Sequence, residues 1–281
     1  MKLFLRTKDF SVTGEAFELL LDEDLQMLVT RPQPENLEAY YQSEAYISHT
    51  DAHTTFSDKI YQGVKTFSLW MKTRLISSYA NHNKSLLDFG AGTGEFLLAA
   101  KKKGWSVAGV EPNRDARMRS REKRMELLRD MDALPKKQFQ IITLWHVLEH
   151  LPDLENQILQ LVRRLKDDGT MLIAVPNFKS YDARHYQEFW AAYDVPRHLW
   201  HFSRTSIEKV FAKHGMKVVQ TKPMIFDAFY VSLLSEKYKT GKQNFIKAFF
   251  LGLLSNINGW WTKEHSSIIY ILQKGNLVED V

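Results

Sequence analysis

The stretch Asp88-Phe89-Gly90-Ala91-Gly92-Thr93-Gly94 decides the fold of this chain, because three glycines alternate with other residues directly after an apolar run. Residues 85–89 are typical of a buried strand, and residues 95–103 are typical of a helix that Gly104 ends. Glycines between a strand and a helix let the backbone turn tightly and approach a ligand, while the first helical N–H groups point toward it. The loop is therefore predicted to bind a ligand.

An acidic residue follows the next predicted strand, 105–110. Glu111 lies 21 residues after Gly90, a spacing at which a carboxylate accepts hydrogen bonds from both ribose hydroxyls of an adenosine. The loop and Glu111 together predict a site for a nucleoside-type cofactor. The alternative is a tight turn in an unrelated α/β protein, with Glu111 as a solvated strand end.

The residue after Gly94 separates two classes of cofactor. The dinucleotide pattern G-x-G-x-x-G needs glycine at position 95, where this chain has Glu95. Asp88 and Glu95 would repel a pyrophosphate, whereas S-adenosylmethionine (SAM) carries a sulfonium and an ammonium and no phosphate. The pattern favours SAM, and an NAD-dependent dehydrogenase is the weaker alternative.

With these residues the chain resembles the class I SAM-dependent methyltransferases, whose D-x-G-x-G-x-G loop it reproduces in full. The resemblance extends from about residue 40 to residue 272. It is strongest to the bacterial type-11, type-12 and type-23 small-molecule methyltransferases, which include ubiquinone-biosynthesis O-methyltransferases. The shared segments are 87–94, 110–112, 144–151 and 194–202.

The resemblance implies a role for each part of the cofactor site. In such enzymes the glycine loop holds the methionine part of SAM, the acid after the second strand holds the ribose, and a residue after the third strand holds the adenine. The residues expected at the cofactor are Asp88, Gly90, Ala91, Gly92, Gly94, Glu111, Pro112, Asp132, Trp145 and Tyr46.

From residue 85 onward, short apolar runs alternate with helical patterns, as in a parallel sheet with helices on both faces. We expect an α/β, Rossmann-like fold with seven strands, the third of them near Leu127 and Leu128. The resemblance adds that the last strand, 267–272, is antiparallel. Residues 81–281 then form the methyltransferase domain, with a helical lid inserted at about 227–261.

Residues 1–80 are expected to form an N-terminal extension that caps the site. In relatives this region often carries a four-cysteine zinc ribbon, but this chain has no cysteine. Residues 17–21 and 26–29 are expected to keep the hairpin without metal. The lack of cysteine also excludes disulfides and a cysteine nucleophile.

Charge and hydropathy restrict the partners and the compartment. The net charge is +5, but Lys and Arg are interspersed with acidic residues, which is weak evidence for nucleic acid. DNA is not expected, since Leu144-Trp145-His146-Val147 stands where amino-methylating enzymes carry Asn-Pro-Pro-Tyr. The N-terminus lacks the apolar stretch of a signal peptide, and the longest apolar run is far below the roughly 20 residues that cross a bilayer. We expect a cytoplasmic protein.

His146-Val147-Leu148-Glu149-His150 spells H-x-x-E-H, a pattern that in inverzincin peptidases carries two zinc ligands and a general base. Here it follows a strand at the ligand-binding edge of an α/β sheet, which favours a methyltransferase site instead. Some related O-methyltransferases bind a divalent ion at an E-x-x-E-H run. Because His146 replaces the first carboxylate, we expect no required metal.

Four histidines are candidates for a general base. His146 and His150 follow the fourth predicted strand, and His198 and His201 lie in the loop after the fifth. A histidine with an unperturbed pKa of about 6.5 can take a proton from an acceptor hydroxyl. The alternative for residues 190–202 is a hydrogen-bonded loop that braces the fold.

Residues 245–261 are rich in large apolar side chains. They predict lid packing, a pocket wall for an apolar acceptor, or a contact with lipid beside Lys242 and Lys247. The expected function is methyl transfer from SAM to a small, partly apolar acceptor, at oxygen. The alternatives are a non-enzymatic SAM-binding protein and an RNA-directed methyltransferase.

Overall fold

Residues 1–41, 56–135 and 137–275 are described by the computed structural model of the chain. The strands are β1 (Lys2–Lys8), β2 (Ala16–Asp22), β3 (Met27–Arg31), β4 (Ser85–Phe89), β5 (Ser106–Val110), β6 (Phe139–Trp145), β7 (Leu165–Pro176), β8 (Trp200–His201), β9 (Met216–Pro223) and β10 (Ser267–Lys274). The α-helices are α1 (Phe56–Ser78), α2 (Glu95–Lys102), α3 (Arg114–Glu122), α4 (Leu154–Arg164), α5 (Tyr181–Tyr186), α6 (Arg204–Ala212), α7 (Asp227–Thr240) and α8 (Phe245–Thr262). Tyr46, expected at the cofactor, lies outside the described residues.

The main sheet has the strand order β5-β4-β6-β7-β10-β9. β4 is parallel to β5 and β6, and β6 is parallel to β7, whereas β10 is antiparallel to both β7 and β9. Parallel strands end at the same edge of the sheet, so the loops after β4, β5 and β6 meet there. The predicted Rossmann-like α/β class and the antiparallel last strand are confirmed.

Two apolar layers cover the sheet, because alternate residues of a strand point to opposite faces. On one face Leu87 belongs to the same apolar cluster as Leu161 of α4. On the other face Leu86 belongs to the same cluster as Leu97 of α2. β6 is buried throughout residues 139–144, as is typical of a parallel strand covered on both sides.

Within the described residues the main sheet has six strands, where the sequence predicts seven. The predicted third strand is reduced to one bridge, in which Leu128 lies beside Val110. The apolar run there comprises only Leu127 and Leu128, and Asp130 then accepts a hydrogen bond from the Ala133 N–H and begins a turn. The segment therefore follows the edge of β5 without becoming a strand.

The N-terminal extension forms a second sheet of order β1-β2-β3-β8. The hairpin predicted over 17–21 and 26–29 is present as β2 and β3, with Leu21 opposite Leu28. β8 comes from the segment between α5 and α6, and it pairs with Leu28 and Val29. Backbone hydrogen bonds thus join the extension to the rest of the chain, and the domain boundary stays a prediction.

The insertion before the last strand consists of α7 and α8, joined by a short loop. It leaves the edge strand β9 and returns the chain to β10, which lies inside the sheet. A membrane-crossing helix would have to be longer and more apolar than any in the described part of the chain.

A buried arginine fixes the segment around β8 to the N-terminal extension. The Arg197 guanidinium lies 3.0 Å from Asp9 and 2.7 Å from Asp194, and it donates hydrogen bonds to the Ser11 hydroxyl and the Tyr40 carbonyl. Burial alone would raise the pKa of Asp9, but Arg197 and backbone N–H donors bring it down to about 2. Asp194 and Arg197 therefore brace this loop, as the alternative interpretation of the sequence had it.

We expect Arg197→Met to lower the free energy of unfolding by about 3 to 5 kcal/mol, because it leaves a buried carboxylate uncompensated. Since the folded-state pKa of Asp9 lies below its ordinary value of 3.8, this stabilisation is present above pH 3.8 and is lost as the pH falls through about 2. Urea unfolding measures the change. The control Arg6→Gln removes an exposed pair with Glu18 and should cost less than about 1 kcal/mol. Equal costs would contradict the bracing role.

Candidate active site

The glycine loop lies between β4 and α2, as the sequence predicts. Gly90, Gly92 and Gly94 have φ values of 75°, 54° and 74°, in the region that glycine enters at low cost. The N–H groups of Gly90 and Ala91 both donate to the carbonyl of Val110. The loop is therefore anchored to the end of β5.

Close contacts explain two of these glycines, and open space surrounds the third. A Cβ at Gly90 would lie 2.3 Å from Cγ2 of Val147, so the loop touches the turn after β6. A Cβ at Gly94 would lie 3.0 Å from Cγ of Met125. Among the described residues, nothing lies within 4 Å of a Cβ built at Gly92. The described residues thus leave space for a ligand beside Gly92.

Glu111, at the end of β5, faces this loop. One carboxylate oxygen accepts a hydrogen bond from the Gly92 N–H at 2.8 Å, and the other accepts one from the Asn113 N–H at 2.9 Å. An ionised carboxylate has about four acceptor sites, so each oxygen keeps capacity for another donor. The structure therefore brings Glu111 and the loop together, while Pro112 and Asp132 are exposed.

Asp88 is buried beneath the loop and does not face open space. Its carboxylate accepts a hydrogen bond from the Thr143 hydroxyl at 2.7 Å. Burial raises the pKa of Asp88 to about 7, although Thr143 and the Lys72 ammonium act in the opposite direction. Lys72 Nζ in turn lies 4.5 Å from the centre of the Trp145 ring. Asp88 thus belongs to a buried polar group with Thr143 next to the loop, and it is not exposed to a ligand.

Glu95 has a different role from the predicted one. The sequence suggests that its charge favours a cationic cofactor, but the carboxylate lies 2.7 Å from Lys65 and 2.9 Å from Lys123. Burial alone would raise the pKa of Glu95, and the two lysines hold it below its ordinary value. Two lysines of the chain compensate the charge of Glu95, so this charge no longer argues against a dinucleotide, whereas the missing glycine at position 95 still does.

His146 is held between two carboxylates just after β6. Its Nε2–H donates to Oδ2 of Asp227 at 2.9 Å, and its Nδ1 lies 3.4 Å from Oε1 of Glu149. Its φ of 56° is uncommon for a residue other than glycine, and such residues cluster at functional sites. Burial alone would lower the pKa of His146, but the two carboxylates raise it to about 10. His146 is therefore an imidazolium at neutral pH.

Of the other three candidate histidines, His198 and His201 are buried, and His150 is half-buried like His146. The rings of His150 and His198 meet edge to face with centroids 4.5 Å apart, and Nδ1 of each is hydrogen bonded to a backbone carbonyl. His201 Nε2 lies 2.9 Å from the Thr30 hydroxyl, in the N-terminal sheet. Burial, assisted by His150, lowers the pKa of His198 to about 4, and burial lowers the pKa of His201. His198 and His201 are therefore neutral and enclosed.

Glu149, His150 and His198 form a compact group whose ligating atoms all lie within 4.8 Å of one another. Glu149 is buried, and among the described residues neither of its oxygens has a hydrogen-bond partner. Burial alone would raise the pKa of Glu149, but the neighbouring histidines lower it. Two imidazoles and a carboxylate are donors that suit a divalent transition metal.

The H-x-x-E-H stretch does not form the helix that the peptidase interpretation requires. Residues Leu148–His150 form a single 3₁₀ turn. His146 faces Asp227, whereas His150 faces His198. The two histidines are therefore not presented together to one zinc ion.

Three residues of the site were missed by sequence reasoning. Lys72 comes from α1 and Asp227 from the start of α7, and no local pattern connects either to the glycine loop. Thr143 has a detectable signal, because the parallel pairing of β4 and β6 places it beside Asp88. Strand register would thus have identified Thr143, but not the other two.

The chain matches the family described as "Methyltransferase domain" over residues 65–221. It is similar in structure to magnesium protoporphyrin IX methyltransferase of Synechocystis PCC 6803 with bound SAH, at 12% identity and a TM-score of 0.55, covering 84% of this chain and 97% of that one. It is also similar to the cyclopropane synthase MmaA2 of Mycobacterium tuberculosis, at 13% identity and a TM-score of 0.51, covering 73% of this chain and 83% of that one. A third similar structure is phosphoethanolamine N-methyltransferase 2 of Haemonchus contortus with SAM, at 16% identity and a TM-score of 0.50, covering 74% of this chain and 53% of that one. No curated protein matches the chain.

We expect His146 to remain protonated well above neutral pH, because two carboxylates stabilise the imidazolium. Asp227→Asn should lower the titration midpoint toward the ordinary value of 6.5. Since the folded-state pKa is raised, the pair stabilises the fold below pH 6.5 and this contribution is lost as the pH rises through about 10.

Imidazole NMR shifts, assigned with His146→Gln, measure this titration. Asp115→Asn, on the exposed surface of α3, is the matched control and should leave the His146 midpoint unchanged. A wild-type midpoint near the ordinary value would contradict the ion pairs.

Proposed function

This chain belongs to the methyltransferase domain family, and we propose that it transfers the methyl group of SAM to an oxygen atom of a small, partly apolar acceptor. It is a class I methyltransferase, and SAM is its cofactor. The observation that carries the proposal is the hydrogen bond between the glycine loop and Glu111. It lies at the sheet edge where the turn after β6, which contains His146, also contacts the loop.

The residues present fit SAM. No described residue lies within 4 Å of a Cβ at Gly92, and Glu111 keeps acceptor capacity on both oxygens for the ribose hydroxyls. SAM supplies an electrophilic methyl group on a sulfonium, for which no covalent nucleophile is needed. The contribution of this chain is to align the acceptor, exclude water and receive a proton.

His146 is the proposed proton acceptor. A third of its side chain is exposed, and the next residue, Val147, touches Gly90 of the cofactor loop. His198 and His201 are buried, at 8% and 4% exposed, so neither is open to an acceptor. Because a base acts in its neutral form, His146 must first lose its own proton, and turnover should therefore increase with pH.

An acceptor hydroxyl of phenolic or enolic character fits this base. Proton transfer costs little when donor and acceptor have similar pKa values, and a phenol such as tyrosine has a pKa of about 10. Burial lowers the pKa of His146, but the two carboxylates outweigh it and raise the pKa to about 10, similar to that of a phenol. Phenols with an apolar tail, as in the ubiquinone-biosynthesis O-methyltransferases that the sequence resembles, are therefore the first class to screen.

We expect Glu111→Ala to weaken SAM binding by about 1 to 3 kcal/mol, because charge-assisted hydrogen bonds to the ribose are lost. Isothermal titration calorimetry with SAM and SAH measures the change. Glu122→Ala, an exposed acid at the end of α3, is the control and should bind normally. Unchanged affinity in a folded Glu111→Ala chain, or tighter binding of NAD than of SAM, would count against the assignment.

We expect His146→Ala to reduce turnover about 10²- to 10⁴-fold while SAM affinity barely changes. Wild-type turnover should rise as the pH approaches about 10, and Asp227→Asn should shift the pH–rate profile to lower pH. Acceptors are screened with isotope-labelled SAM, and products are identified by mass spectrometry. If alanine at each of His146, His150, His198 and His201 leaves turnover near wild type, alignment alone carries the reaction.

The same screen distinguishes two other functions. SAM binding without turnover on any acceptor would select a non-enzymatic SAM-binding protein. Label transferred to added RNA would select an RNA-directed methyltransferase. Transfer to carbon or nitrogen of a small molecule would retain the enzyme class and overturn the choice of oxygen.

We propose that transfer requires no metal, although Glu149, His150 and His198 fit one. The His146 imidazolium already supplies a positive charge 3.4 Å from Glu149. Elemental analysis of the purified chain should therefore find no stoichiometric metal, and turnover should survive EDTA. A stoichiometric metal that disappears in His198→Ala would assign this group as a metal site.

A further inference from the structure

The outer helix of the insertion, α8, presents the reverse of the usual amphipathic pattern. Apart from Leu251, the residues that face the protein are small or polar, namely Ala248, Gly252, Ser255, Asn256 and Gly259. The exposed residues are large and apolar, namely Phe245, Ile246, Phe249, Phe250, Leu254, Ile257, Trp260 and Trp261. A surface helix of a globular protein normally turns its apolar side toward the core.

Specific contacts hold α8 in this orientation. A Cβ at Gly252 would lie 2.9 Å from Cα of Phe229, so the backbones of α7 and α8 meet there. The Ser255 hydroxyl donates to Asp182 at 2.6 Å, and the Asn256 amide donates to a backbone carbonyl at 3.0 Å. Rotating the helix to bury its aromatic side would break these hydrogen bonds, which is costly for buried groups.

The apolar surface continues from α8 across α7 to α1. The ring of Phe249 stacks on Phe229 with centroids 5.5 Å apart. Phe226 meets Phe67 edge to face at 5.8 Å, and Phe67 contacts Trp70 at 5.6 Å. Phe226, Phe67 and Trp70 are all exposed. The exposed apolar side chains of α8, with Phe226, Phe67 and Trp70, are called the aromatic face below.

The insertion that carries most of the aromatic face also contains lysines, with no acidic residue among them. Residues 237–263 contain no Asp or Glu. Their lysines are Lys237, Lys239, Lys242, Lys247 and Lys263. Lys247 pairs with the buried Glu236, and Lys237, Lys239 and Lys242 are exposed near the α7–α8 loop. The insertion therefore combines an apolar surface with positive charge.

We propose that the aromatic face docks on the surface of an anionic phospholipid bilayer, with α8 lying in the plane of the interface. Helices of this kind bind through their buried apolar area and the attraction between lysines and anionic headgroups. Trp260 and Trp261 supply side chains that prefer the membrane–water interface. Among the described helices none is long and apolar enough to cross the bilayer, so the contact is peripheral.

A second copy of this chain fits the aromatic face less well. In a two-fold dimer the same patch meets itself, which brings lysines toward lysines. Residues 237–263 offer no carboxylate to pair with them. Like charges across an interface oppose association, whereas anionic headgroups attract the same lysines. Charge therefore favours lipid as the occupant.

Vesicle flotation tests this proposal without SAM or an acceptor, so its outcome is independent of the proposed function. We expect the purified chain to float with vesicles of phosphatidylcholine and phosphatidylglycerol in equal parts. Binding to pure phosphatidylcholine should be at least about tenfold weaker, because the lysines then lack anionic partners. High salt should weaken binding to the anionic vesicles, since it screens exposed charges.

The double variant Ile246→Ser/Trp261→Ser tests the apolar contribution. These side chains are 73% and 84% exposed, so their removal takes little from the core. We expect binding to fall about 10- to 100-fold, because less apolar surface enters the interface. The matched control is Met118→Ser/Val219→Ser, which removes exposed apolar side chains of α3 and β9 and should bind like wild type.

The triple change of Lys237, Lys239 and Lys242 to Gln tests the charge. Binding to anionic vesicles should fall about 100-fold, since each lysine near the surface contributes about fivefold. The matched control replaces the exposed lysines 101–103, which lie at the end of α2 and not in the insertion, with Gln. Circular dichroism and thermal unfolding check that every variant is folded.

Two results would overturn the proposal. The first is failure of the wild-type chain to float with anionic vesicles. The second is a folded Ile246→Ser/Trp261→Ser variant that floats as well as its control. A dimer in analytical ultracentrifugation that the same double variant dissociates, without vesicle binding by the wild type, would assign the aromatic face to a second copy.

Discussion

The contact between Gly90 and Val147 sets the geometry on which the rest of the site depends. A Cβ at Gly90 would lie 2.3 Å from Val147, so the loop after β4 and the turn after β6 meet only when residue 90 is glycine. His146 precedes that contact in a left-handed conformation. The packing of the Val147 side chain on Gly90 thus fixes the turn that carries the imidazole against the glycine loop, which is how a preorganised site is held.

The sheet and the cofactor loop could be predicted because their signals are local. Strands β4 and β6 are apolar runs of the right length, and the glycine spacing with Glu111 describes a ligand loop without reference to distant residues. The prediction of a third strand was wrong because it, too, rested on a local signal alone. Leu127 and Leu128 alone carry too short a pattern to distinguish a strand from a bridge at the sheet edge.

The electrostatics of the site could not be predicted, because they depend on partners far away in the sequence. The sequence predicts that the Glu95 carboxylate is free to face a cofactor, yet it forms ion pairs with Lys65 and Lys123. A histidine has an ordinary pKa of about 6.5, yet Asp227 and Glu149 change the charge state of His146 at neutral pH. Only the folded chain shows which ionisable groups meet.

Phe226 and Asp227 are consecutive residues at the start of α7, and they face different surroundings. Phe226 belongs to the aromatic face, and Asp227 is hydrogen bonded to His146. Any displacement of this turn moves both side chains together. If occupancy of the surface shifts the turn, it also changes the proton affinity of the imidazole, and thermodynamic linkage makes the effect reciprocal. The ionisation of one histidine would then report on whether the outer surface is covered.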